Sequence, residues 1–474
     1  MMKHPHLQRA GLLCALALAL LSAGCMSFIP AYERPAAPVA PIYAPELTPA
    51  GAPGVPAAAD IEWQRFFADP RLKRLIELAL QNNRDLRVAI LNIEQARATY
   101  QVRRADQLPT LGAGVSAARE AGTNGGLVNV YAAGLQVTGY ELDFFGRVRS
   151  LSQAALSQYL ATEEARKTTQ IALVAGVATT YIGMLADEEL LRVTREALKT
   201  REDSFRLTKL RFDNGASSEI DLRQAEQLLE TAKATLAQTQ RQRALDENAL
   251  VLLVGQPLPA DLPAPLPLAQ QQGVTDLPAG LPSDLLTRRP DVLAAEQQLL
   301  AANANIGAAR AAFFPRISLT ANAGSASTEL SGLFKGGSWA LTGSASLLQP
   351  IFDAGRNQAN LQISKVNKDI AIAQYEKAIQ TAFREVSDSL AGRATLGEQL
   401  RAQAAVANAA QVGYNLADLR YRNGVASYFD LLDAQRTLFA AQQATVQVQS
   451  AQAQNLVTLY KVLGGGWTEP SRPN

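Results

Sequence analysis

The sequence predicts a mainly α-helical chain made of two tandem copies of one unit, each copy joining a long coiled-coil hairpin to a β-hairpin. Three observations predict it. A dodecapeptide is written twice, RFDNGASSEIDL from Arg211 and RYRNGVASYFDL from Arg420, 209 positions on. No proline falls between Pro109 and Pro257, or between Pro350 and Pro470, which permits very long helices. Ahead of each predicted long helix, apolar and small polar residues alternate with a period of two.

The elements follow in chain order. Lys3 and Arg9 precede the apolar run Ala10 to Leu21, and Leu21-Ser22-Ala23-Gly24 leads into Cys25. A basic start, a short apolar run and small residues describe a secretory signal, too short to span a bilayer comfortably. The residues before Cys25 resemble a bacterial lipobox. That makes residues 1–24 a removable signal and Cys25 the lipidated first residue, carrying diacylglycerol and an N-acyl chain such as palmitate. Met26, where such lipoproteins carry Asp for inner-membrane retention, points to outer-membrane sorting. Cleavage removes His4, His6 and Cys14. Ser-His and Cys-His catalysis, a disulfide framework and His or Cys zinc sites are thereby excluded. No phosphate-loop motif is present, and no enzyme activity or other cofactor is expected. Loss of Lys3 and Arg9 leaves 43 basic against 43 acidic side chains, which gives no argument for a nucleic-acid partner.

Eight prolines between Pro30 and Pro56 make residues 25–60 an extended, exposed tether. Residues 61–256 and 281–466 are the two copies, 257–280 a Pro-rich linker and 467–474 a tail. Gly146-Arg147 matches Gly355-Arg356, and Gly255 matches Gly464, at the dodecapeptide offset; Asp85 matches Asp291 and Pro109 matches Pro315 at 206. Residues 146–211 and 355–420 read as helices of roughly 100 Å at 1.5 Å per residue. Shorter helices are expected over ~76–105, ~219–254, ~282–311 and ~428–462. Leu222, Ala225, Leu229, Ala232 and Leu236, and again Leu431, Ala434, Leu438 and Ala441, form a heptad seam that closes each hairpin. In each dodecapeptide Asn-Gly ends one helix, and Ser217, Ser218 or Ser427 can cap the next. The dodecapeptides are therefore the two hairpin tips.

Ile317 to Gly324, Trp339 to Leu348, Leu111 to Ser116 and Tyr131 to Tyr140 read as strands with one apolar and one small polar face. That pattern fits a membrane barrel and equally a soluble hairpin. Tyr140, Phe144, Phe145, Phe313, Phe314 and Phe352 fall at one level beside the strands, as a membrane-interface girdle or as a packing layer between sheet and helices. Four strands cannot close a barrel, and free edges are intolerable in lipid. Two chains would give eight strands and a filled interior. Three would give twelve and room for water. Ile171 to Ala186, sixteen uncharged residues with Thr179 and Thr180, reads as a packed helical seam.

Here the residues resemble a known family, the outer membrane factors of tripartite efflux pumps, of TolC/OprM type and nearest the OprM-like lipoproteins. The stretches that carry the likeness include ELDFFGRVRS (141–150), GLPSDLLTRRPDV (280–292), PIFDAGR (350–356), RYRNG (420–424) and LYKVLGGGW (459–467). The resemblance implies a homotrimer with a twelve-stranded β-barrel on a helical α-barrel. It would pass drugs and other small molecules from an inner-membrane RND pump through a periplasmic membrane-fusion adaptor, as in multidrug resistance. It implies a periplasmic gate in which Phe429 and Asp433 form stacked rings, where Ile220 and Gln224 stand in the first copy. It implies tip links between Tyr421 and Arg422 and either Asp221 or Asp187. Asn214, Gly215, Ala216, Ser217, Asn423, Gly424 and Val425 would face the adaptor. Two other readings remain open at this point: the duct of a type I protein-secretion system, and a periplasmic coiled-coil scaffold lipoprotein.

Overall fold

The computed structural model describes residues 27–44, 57–121, 125–271, 277, 278, 280 and 282–467. The expected signal and Cys25 lie outside them. The elements are α1 (Pro70–Asn82), α2 (Arg84–Ala105), β1 (Leu111–Ala121), β2 (Leu127–Leu142), α3 (Arg147–Asp213), α4 (Glu219–Val254), α5 (Pro290–Ala311), β3 (Arg316–Ser327), β4 (Trp339–Leu348), α6 (Arg356–Arg422) and α7 (Tyr428–Val462). The long helices α3 and α6 each contain 67 residues.

The expected helices ~76–105 and ~282–311 are each broken, at Asn83 and at Arg289. Both residues have extended backbones. Arg289 precedes Pro290, and a residue before proline is driven out of the helical region. Asn83 Oδ1 caps the restarted helix by accepting from Leu86 N at 2.9 Å. The two breaks stand at equivalent places in the two copies, and both reach the same receptor. Asn83 Nδ2 donates to Leu253 O at 2.9 Å, and Arg289 donates to Val462 O at 3.2 Å. Beside them a Cβ on Gly255 would come within 2.5 Å of Asn82 O, and one on Gly464 within 2.8 Å of Arg288 O. Both glycines have positive φ. The duplication thus extends to individual backbone contacts.

The chain divides into two compact units. One contains Asn92–Glu163 and Ala294–Glu376 with the N-terminal residues through Ala36. Its sheet is an antiparallel meander in the order β1-β2-β3-β4, so β1 and β4 each pair on one side among the described residues. The register puts Leu111, Val115, Leu135, Val137, Ala323, Leu341 and Leu347 on one face and Gly112, Gly114, Gln136, Asn322, Thr320 and Thr342 on the other. The apolar face is uncovered: Val115 is 81% and Leu341 68% exposed. One extra residue bulges from β2 between Val137 and Tyr140, at Gly139 with φ +65. Tyr140 and Leu142 thereby stay on the apolar face and Glu141 on the polar one, where it pairs with Arg147 and Arg316, each at 2.7 Å.

Residues 27–44, expected to lie in an exposed tether, have no helix or strand and are fastened rather than free. Glu296 is a buried carboxylate, 5% exposed, and burial of a charge requires partners. It takes both: Arg34 binds it bidentately at 2.7 and 2.9 Å, and Tyr32 donates at 2.9 Å. Asn303 and Arg310 hold the carbonyls of Pro30 and Phe28. Phe28 stacks on Phe314 at 4.6 Å, and Phe314 on Phe145 at 4.9 Å. Of the six girdle residues, Phe145 and Phe314 therefore take part in a packing stack. Tyr140 donates to Gln107 O at 3.0 Å, while Phe144, Phe313 and above all Phe352, 88% exposed, are free.

The other unit contains Ala37–Leu91, Glu164–Leu293 and the chain from Lys377 onward. Its core takes up the uncharged stretch of α3: Val174, Val177, Ala178, Tyr181 and Ile182 are all buried. Tyr181 donates to Asp69 Oδ2 at 2.9 Å, and Asp69 also accepts from Arg71 N, from Leu266 N and from Gln271. One buried carboxylate thus caps α1 and ties the described part of the linker to it.

Candidate gate at the hairpin tips

Each tip is built from purely local chemistry. Gly215 and Gly424 have φ of +71 and +73. They let Ala216 N reach Arg211 O at 2.7 Å and Val425 N reach Arg420 O at 2.9 Å, which satisfies carbonyls left open at the ends of α3 and α6. Asn214 and Asn423 each donate from Nδ2 to the carbonyl four residues back, Leu210 O and Leu419 O, at 2.7 Å. The Asn in both dodecapeptides therefore has a structural task at the helix end. Ser218 and Ser427 cap α4 and α7 in full capping boxes with Asp221 and Asp430. Ser217 Oγ adds a bond to Asp221 Oδ2 at 3.1 Å.

The two tips pack on each other. Ala225, Leu228, Tyr421, Tyr428, Leu431 and Leu432 form a buried cluster, flanked by Phe205, Leu207 and Tyr414. The Tyr421 and Tyr428 rings stand 5.6 Å apart, and the Arg211 guanidinium lies 4.5 Å over the Tyr421 ring. The heptad seam accounts for this: Tyr428, Leu431, Leu432 and Gln435 follow one face of α7 inward. Phe429 and Asp433 follow the opposite face, and both are exposed; so is Ile220.

The expected tip links are not made within the protomer. Asp221 is engaged by the serines of its own cap, Arg422 pairs with Asp418 at 2.8 Å, and Tyr421 is buried among apolar neighbours. Asp187 lies far along α3 from the tip. Sequence reasoning missed the Arg211–Tyr421 contact, because the two residues come from different copies.

Asp187 has a different character. It is buried beside Asp246, and among the described residues no N–H or hydroxyl donor reaches its Oδ2. Burial, then the Asp246 charge, raises its carboxyl to about 6; Arg243, itself paired with Glu188 and Glu247, opposes this. A raised carboxyl binds its proton more tightly folded than unfolded. Its stabilisation is complete below the ordinary carboxylate range and is lost as pH rises through about 6. Asp187→Asn is expected to raise stability by roughly 2 kcal/mol at pH 8 and by little at pH 4. Denaturation midpoints of both proteins at the two pH values check this.

A four-stranded open sheet with an uncovered apolar face, joined to duplicated helical hairpins, defines one subunit of an outer-membrane channel. The family model of the outer membrane efflux protein matches residues 75–256 and 281–465. The chain belongs to that family. It is 49% identical over 466 residues to the toluene efflux pump outer membrane protein TtgC of Pseudomonas putida, covering 96% of each. It is 44% identical to the outer membrane protein OprJ of Pseudomonas aeruginosa, covering 99% of this chain and 98% of that one. The solved open state of the Neisseria gonorrhoeae MtrE outer membrane channel is similar over 93% of this chain and 98% of its own, with a TM-score of 0.85 at 41% identity.

Proposed function

We propose that three copies of this chain close a twelve-stranded barrel and form the exit duct of a tripartite efflux assembly for aromatic solvents and antibiotics. The observation that carries this reading is the sheet: two unpaired edges and one continuous apolar face require further strands, and lipid tolerates neither edge unclosed. Relatives named for toluene and for antibiotic efflux support the choice of cargo. In this reading Cys25 carries the lipid anchor, and Phe144, Phe313 and Phe352 sit at the membrane interface with Tyr140. An inner-membrane RND pump delivers cargo through an adaptor that grips the tips at Asn214–Ser217 and Asn423–Val425. Phe429 and Asp433 narrow the periplasmic end.

Deleting the gene is expected to sensitise cells to toluene and hydrophobic antibiotics, and to add no sensitivity once the partner pump is already deleted. Unchanged susceptibility in the single deletion overturns the proposal. Outer-membrane extracts are expected to yield a heat-resistant species of three times the protomer mass.

A further inference from the structure

Arg201 on α3 is an unusual buried cation. It is 4% exposed, yet among the described residues it forms no ion pair with a carboxylate. Its one hydrogen bond among the described residues is from a guanidinium N–H to Leu228 O, at 3.3 Å, and its guanidinium lies 4.7 Å over the Phe439 ring. A guanidinium has five N–H donors, and a buried charge without a counter-charge is costly. Burial, and then the neighbouring Arg436, make the charged form harder to keep. Glu196, one turn away at the rim of the adjoining cavity, is exposed and already bound to Arg192 at 2.7 Å.

Arg201 lines a cavity of about 150 Å³ together with Glu196, Ala197, Thr200, Tyr414, Gln435 and Phe439. Gln435 is 7% exposed, and its Oε1 has no hydrogen-bond partner. Oxygen and nitrogen of an amide exchange places by a half-turn, so the same group can present its NH₂ to the cavity. Two buried polar side chains thus converge, incompletely satisfied, on one space. The second copy supplies an internal comparison: the position equivalent to Arg201 is Ala410. The helical pairing itself does not call for a guanidinium there.

We propose that this cavity is a binding site for a small organic carboxylate. The parallel N–H groups of Arg201 match the two carboxylate oxygens, the Gln435 amide supplies a third donor, and the Phe439 ring forms an apolar wall. The volume suits an occupant with a single ring, since a cavity of about 150 Å³ accepts benzene. Binding would supply the counter-charge that the protomer lacks, and would brace α3 of the first copy against α7 of the second.

The test uses the full chain purified in detergent, with sodium benzoate as probe and sodium chloride at equal ionic strength as control, read by titration calorimetry and thermal unfolding. The expected result is saturable benzoate binding with a raised unfolding temperature, and no such response to chloride. Arg201→Gln should weaken binding at least roughly tenfold, the cost of losing a charge-assisted pair, while unfolding no earlier than the native protein without benzoate. Ala197→Leu, which fills the cavity and keeps Arg201, should abolish binding if Arg201→Gln fails to fold. No benzoate binding to the native protein, an equal response to chloride, or equal binding by the variants overturns the proposal. So does a loss of oligomer in Arg201→Gln, which would mean that an acidic side chain of a neighbouring copy already fills the site. The readout is binding to isolated protein, so it stands apart from the transport reading.

Discussion

Arg289→Ala is expected to destabilise the protein by about 2–3 kcal/mol, because it removes a buried guanidinium and its charge-assisted bonds while the two carboxylates left behind keep partial access to water. The Arg289 side chain is 9% exposed and binds Glu385 at 2.8 Å and Asp291 Oδ1 at 3.0 Å, besides Val462 O. Those two carboxylates outweigh the burial that disfavours its charge. The copy offers a calibrated contrast. Asn83→Ala removes one neutral hydrogen bond to Leu253 O and one helix cap, together worth about 1–2 kcal/mol. Urea midpoints of the two single variants measure the difference. Equal losses would show that the charge contributes nothing beyond the shared bond to the returning helix.

Removing the exposed pair at the second tip is the other large effect. Phe429→Ala with Asp433→Ala is expected to raise single-channel conductance in planar bilayers several-fold and to reduce its cation preference, since clustered carboxylates attract cations. Ile220→Ala with Gln224→Ala, the matching positions of the first copy, should change conductance much less, because that tip has no carboxylate there. Adding Tyr421→Phe should contribute little: the ring, its place in the tip cluster and the Arg211 contact all survive. Unchanged conductance in the first double variant would remove Phe429 and Asp433 from the gate. An increase caused by Tyr421→Phe alone would show that its hydroxyl forms a link between protomers.

How much was legible in the sequence depended on how local each cause is. The tips were legible almost to the residue, since Asn-Gly demands a left-handed residue and a serine two to four places on supplies the next cap. The capping boxes were also written there, as Ser218 with Asp221 and Ser427 with Asp430, and they explain why Asp221 is not free to receive Tyr421 or Arg422. The break at Asn83 carried only an asparagine able to cap the next helix, a weaker signal than Pro290 after Arg289, and it is also held from a residue 170 positions away. The tip core and the cavity beside Arg201 were invisible for the same reason. Both are assembled across copies, and a repeat read against itself shows what the copies share rather than where they touch. The fastening of the N-terminal segment was masked by composition: proline-rich chain looks solvated until a buried acid such as Glu296 is found to need Arg34.

The bulge in β2 has a consequence for how this chain tolerates change. Side chains along a strand alternate, so an insertion acts on their parity, and the residue added at Thr138-Gly139 leaves the phase of β2 intact only because the bulge absorbs it. Loss of one residue there would leave composition and hydropathy almost untouched. It would also leave Val137 and Tyr140 two places apart, so that Tyr140 and Leu142 stay on the apolar face and Glu141 stays with Arg147 and Arg316 without a bulge. Loss of two residues in this short stretch should therefore be far more damaging than loss of one, because it makes Val137 and Tyr140 neighbours and turns Tyr140 and Leu142 onto the polar face.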